Sequence, residues 1–134
     1  MRKSVYLAIA VLMAGMLGLL MGCHEDPLSS FQPEIVNNPD NFQFQITGVN
    51  GVTTTVSYDW QNSGTKAKAN QACSITSGSA TLTISDANGT VVYTGDLKNN
   101  GDYFTDTGTT GKWLIRVKLV DMRGTINFRV QKVT

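Results

Sequence analysis

From Asn41 to the end of the chain, apolar side chains return at every second residue. Phe42, Phe44 and Ile46 alternate with Gln43, Gln45 and Thr47, and Val52 to Trp60 alternate in the same way with Thr53, Thr55, Ser57 and Asp59. Ala67, Ala69, Cys73 and Ile75 share a face that Gln71 interrupts. Ala80, Leu82 and Ile84 form the next stripe. Shorter runs cover 91–94 and 103–105. Trp113, Ile115, Val117 and Leu119 are the clearest stripe, and Ile126, Phe128 and Val130 are the last. Successive side chains of a pleated strand point to opposite faces, so this period describes strands with one face buried. No window of ten or more residues after Cys23 carries a helical period. Thr and Val are abundant, as pleated surfaces favour.

Turn chemistry separates the runs. Asn50-Gly51, Asn88-Gly89 and Asn100-Gly101 pair two residues that tolerate positive φ, as the tightest hairpins require. Gly108 to Gly111 and Met122 to Gly124 mark two further reversals. About eight short strands in one domain fold as two packed antiparallel sheets or a small barrel. The expectation is an all-β chain: a small antiparallel β-sandwich, immunoglobulin-like or jelly-roll-like, over 41–134.

The chain has 134 residues, 41 % apolar and 16 % charged, which suits one globular domain and excludes a disordered polyampholyte or a coiled-coil rod. Residues 24–40 hold all three prolines, at 27, 33 and 39. They break helices and central strands, so 23–40 reads as a tether, with Glu34-Ile35-Val36 able to add a short edge strand. It carries four acidic and no basic side chains.

The N-terminus carries an address. Arg2 and Lys3 precede an uncharged run from Val5 to Met21, the order of a secretory signal. The run also sits at the short edge of what spans a bilayer. It ends in Leu20-Met21-Gly22-Cys23, which resembles the lipobox of bacterial lipoproteins. That resemblance implies that 1–22 is a signal peptide, that cleavage precedes Cys23, and that Cys23 carries a diacylglycerol thioether. Two or three acyl chains anchor stably where one does not. His24 stands where an aspartate implies inner-membrane retention, so the resemblance implies outer-membrane sorting in a Gram-negative cell. Glu25-Asp26 is similar to the surface-export signals of some Bacteroidetes lipoproteins. Farther along, Gly111-x-Trp113-x-Ile115-x-Val117 and Gly124-x-Ile126-x-Phe128-x-Val130 resemble the closing hairpin of pre-peptidase C-terminal domains and the P-domain of proprotein convertases. This supports the sandwich and implies no function.

Few residues invite chemistry. His24, the only histidine, lies on the tether, so no Ser-His-Asp or Cys-His constellation is expected in the domain, nor a Cys/His zinc site. No catalytic residue, cofactor or metal is therefore expected, and the chain reads as a non-enzyme. Cys73 reads as a small buried hydrophobe. The Asp and Asn residues between 86 and 106 lack calcium-loop spacing and read as turn formers. Trp60 and Trp113 lie in register with core stripes, which leaves Tyr103-Phe104 as the more exposed aromatic pair and Tyr103 as a candidate ligand contact. From Lys112 onward six basic residues face one acid, Asp121. Arg116, Lys118 and Arg129 point away from the apolar stripes. If their strands pair, they form one basic patch, suited to an anionic surface or an acidic partner. The competing reading is a solvated face guarded against edge aggregation.

Removing Arg2 and Lys3 from eleven basic residues leaves nine against ten acidic, so net charge does not favour nucleic acid. The functional expectation is a lipid-anchored cell-envelope lipoprotein whose sandwich is a protein-interaction or accessory module. The alternative is a lipoprotein that binds carbohydrate or another small ligand. Its partners are the membrane, through Cys23, and an envelope protein or a glycan.

Overall fold

The computed structural model describes residues 26–134. The signal peptide expected over 1–22 and the lipidation expected at Cys23 lie outside the described residues. A short 3-10 turn, Ser29–Phe31, precedes seven strands: β1 Glu34–Asn38, β2 Asn41–Asn62, β3 Ala67–Gln71, β4 Ser74–Ser85, β5 Val91–Asp96, β6 Gly101–Phe104 and β7 Gly111–Lys132. All their pairings are antiparallel. The fold is the small all-β sandwich that the alternation predicts.

Its construction differs from a set of eight separate strands. β2 and β7 are each 22 residues long and pair from Asn41↔Gln131 to Asn62↔Gly111. Fully extended, such a strand would run about 70 Å, far beyond the width of a domain this size, so both must bend. The β2 register slips between Ile46 and Val49 and twice more before Thr54, with Gly48 at φ 66° and Gly51 at φ 65°. Opposite them, β7 carries Asp121 at φ 42° and Gly124 at φ 132°. β4 kinks alongside at Gly78, φ 71°, where a Cβ would stand 2.1 Å from the Asp121 carbonyl oxygen. Bulges of this kind bend and twist a strand without ending it.

Two expected reversals are therefore bends. Asn50-Gly51 and Met122–Gly124 lie inside β2 and β7, because each strand keeps the other as its partner through the kink. Asn88-Gly89 does turn the chain, between β4 and β5, and Asn100-Gly101 leads into β6.

Each bent strand contributes to both layers. The first layer runs β1–β2–β7–β3–β6, using the N-terminal half of β2 and the C-terminal half of β7. The second uses the other halves with β4 and β5. Phe42 and Phe44 of the first layer meet Tyr58 of the second, with ring centroids 5.4 and 6.0 Å apart. Trp60 and Trp113, cross-strand partners, pack edge to face at 6.0 Å and 87°. Both indoles are buried and both N–H groups are used, Trp60 donating to Asn38 O and Trp113 to Thr109 O. One cluster of buried apolar side chains joins the layers.

The domain begins earlier than 41. The expected edge strand is β1, and Leu28, in the stretch expected as tether, is buried in the core at 1 % exposure. The 3-10 turn that follows Leu28 contacts β2. Prolines at 33 and 39 flank β1 and sit outside its ladder, so they do not prevent the edge strand.

Candidate functional site

The polar residues that the core buries are occupied structurally. Gln71, which breaks the apolar pattern of β3, donates from Nε2 to Asp96 O and Asn99 O, at 3.0 and 2.8 Å. Its Oε1 accepts from the Tyr93 hydroxyl at 2.7 Å. Asp86 accepts the backbone N–H groups of Asn88, Thr90 and Thr109 at 2.9–3.0 Å. These bonds, Thr109 first, hold its carboxyl below the usual range. Asp96 accepts from Lys98 N. The Asn100 side chain pairs with both backbone groups of Cys73. Asp86 and Asp96 are turn formers, as expected, whereas Asn100 ties its loop to Cys73 and Asp102 lies in β6 beside Asn70 and Lys68. Cys73 is buried, and burial pushes its thiol pKa up. Among the described residues no group of three or more His, Cys, Asp or Glu side chains converges as a metal site.

The expected basic patch is divided. Arg116 and Lys118 are exposed on the outer face of the second layer, beside Ser57 and Thr83, and Thr55 and Thr81, respectively. Arg129 is exposed on the outer face of the first layer, between Gln43 and Asn70. Its Nη2 donates to Gln43 Oε1 at 3.3 Å. All three residues belong to β7, but the bend at 120–125 carries them to opposite sides of the molecule. The reading of Arg116, Lys118 and Arg129 as one surface on one sheet is thus corrected: pairing of the two stripes across a hairpin does not occur.

Tyr103 is half-buried. It stands opposite Ala69 in the β3–β6 register, on the inner side, with its ring 6.1 Å from that of Tyr93. Its neighbour Phe104 turns outward and is 60 % exposed. Phe104 stands opposite Lys68, which stands opposite Gln131, which stands opposite Asn41. This row runs across the outer face of the first layer.

A groove of about 400 Å³ opens there, lined by Asp40, Lys68, Phe104, Gln131, Lys132 and Val133 among others. Asp40, at positive φ in the β1–β2 turn, accepts from Ser63 N and Ser63 Oγ, both at 2.7 Å. Lys132 Nζ lies 3.5 Å from its carboxylate. These contacts, led by the Ser63 bonds, lower the Asp40 pKa. Lys68 reaches Asp102 at 3.9 Å. Asn41 Oδ1 is buried without a hydrogen-bond partner among the described residues. Gln131 and Lys68 escape sequence reading, since an outward polar residue on a strand carries no mark of its own. Phe104 was distinguishable from Tyr103 only by strand parity, and the short β6 run left that parity open.

No protein-family model matches the chain, and no curated protein matches it. Among solved structures, it is similar to a chain of accessory secretory protein 1, 2 and 3 of Streptococcus pneumoniae, at TM-score 0.40 and 8 % identity over 78 % of this chain and 87 % of that one. It is also similar to a chain of infectious bursal disease virus, Gt strain, at TM-score 0.29 and 15 % identity over 75 % of this chain and 32 % of that one.

Proposed function

We propose that this chain is a lipid-anchored, non-enzymatic binding module of the bacterial cell envelope. The observation that carries the reading is the burial of Leu28 only five positions after the lipobox cysteine. Five extended residues reach at most about 17 Å. A domain on so short a leash sits against its membrane, and whatever it recognises must come to the membrane surface. Its polar core groups are committed to turns and layer contacts, which leaves the outer sheet faces for recognition. Two uses suit such a module: docking on another envelope protein, and binding a glycan. The exposed Phe104 beside its groove favours the second.

The anchor is tested by growing cells with an alkyne-bearing fatty acid and following the label. Lipid should appear on the wild-type chain, which should sediment with membranes. The Cys23→Ala chain should carry no lipid. A Cys23→Ala chain that remains labelled, or a wild-type chain that takes up no label, overturns the anchored reading.

A further inference from the structure

The groove beside Phe104 differs from the rest of the surface in three ways. Phe104 is the one aromatic among the large exposed apolar side chains of the described residues. A lone exposed apolar residue is ordinary, but this one stands in a concave site. The groove lies at the low end of the volumes that ligand sites occupy, roughly 300–1,000 Å³. That suits one or two sugar rings better than a folded partner.

The second difference is the chemistry of the sheet around it. By register the outer face of the first layer carries seven side-chain amides, at 38, 41, 43, 45, 70, 127 and 131, of which Asn41 has its Oδ1 buried and Gln43 already accepts from Arg129. The matching face of the second layer carries Thr and Ser at Thr55, Ser57, Thr81, Thr83 and Ser85. Strands disfavour Asn, so strand propensity does not account for the asparagines of the first face. A planar amide offers a donor and an acceptor at fixed spacing, which matches vicinal hydroxyls that both donate and accept.

The third difference is charge. Lys68 and Lys132 face Asp102 and Asp40, so the charges around the groove balance. Asp40 is already engaged by Ser63 and Lys132. A balanced groove offers no net attraction to an anionic ligand.

Resting on the binding-module reading above, we propose that this groove binds a neutral oligosaccharide, one ring stacked on the Phe104 face and its hydroxyls bonded by Gln131 and Lys68. The aromatic ring takes the C–H face of the sugar, and the amide and ammonium groups take its edge.

The test uses the full-length protein in a zwitterionic detergent that carries no sugar. Cellotetraose, maltotetraose, mannotetraose and chitotetraose are titrated singly, with saturation transfer and calorimetry as readouts. At least one should bind, with affinity insensitive to salt. Phe104→Ala should weaken it roughly tenfold or more, and Gln131→Ala should weaken it too. Lys118→Ala, on the opposite face, should change nothing. Melting temperatures of the variants separate lost binding from lost fold. The proposal is overturned if no member of the panel binds, if affinity falls steeply with salt, or if Phe104→Ala binds as wild type does. In any of those cases a photo-cross-linking side chain at position 104 that captures one envelope protein would leave the anchored module standing with a protein as its partner.

Discussion

At the scale of single residues, polar groups that look misplaced in the sequence hold the structure together. Gln71 interrupts an apolar stripe, yet it is 2 % exposed and ties β3 to the end of β5 and to the loop beyond it. That role was not legible, because its partners Tyr93, Asp96 and Asn99 lie well along the chain. Asp86 does the same for the β4–β5 turn and the segment before β7. Its lowered pKa means the folded state binds the carboxylate form better than the unfolded state does. That stability is present above the unfolded value of about 4 and is lost as pH falls through the folded one. Asp86→Asn should therefore lower the melting temperature by several degrees at pH 7. The gap to wild type should close as the pH drops below about 4. Thermal melts of both proteins from pH 7 to pH 2 check this, and a gap constant over that range would contradict it. Asp40, lowered chiefly by its Ser63 bonds, leaves the variant some acid sensitivity of its own.

At the scale of elements, the kinks in β2, β4 and β7 decide the architecture. They lie side by side, so the sheet folds along one line and the layers share their longest strands. Gly78 shows how tight that line is: its φ is positive, and its missing Cβ is where the Asp121 carbonyl passes. Gly78→Ala should cost roughly 2–4 kcal/mol, read from denaturant unfolding. Gly89→Ala is the control. It also has positive φ, but nothing stands within 4 Å of its added Cβ, so it should cost less, about 1 kcal/mol. Equal losses would mean that the close approach at the fold line is unimportant. The strand positions were legible almost throughout, because alternation is a property of each run by itself. The nature of the breaks was not. Asn50-Gly51 and Asn88-Gly89 are the same dipeptide, and one bends a strand while the other ends it.

At the scale of the whole molecule, β7 pairs with β2, β3 and β4 and so belongs to both layers. Neither layer can open without breaking β7 from its partners. Unfolding in guanidinium should be one transition, with tryptophan emission, which reports Trp60 and Trp113 in the second layer, tracing the same curve as far-UV circular dichroism. Separate midpoints would show that the layers part company. The all-β class, the place of nearly every strand and the inward side chains of the longer runs were readable in the amino-acid order, since each follows from the two-residue pleat and needs no distant partner. The tertiary structure alone decided which breaks reverse the chain and which bend it. That choice depends on pairing with strands far away in sequence. It sent Arg116 and Lys118 to one side of the molecule and Arg129 to the other, and it set Phe104 beside Lys68 and Gln131 at the mouth of a groove.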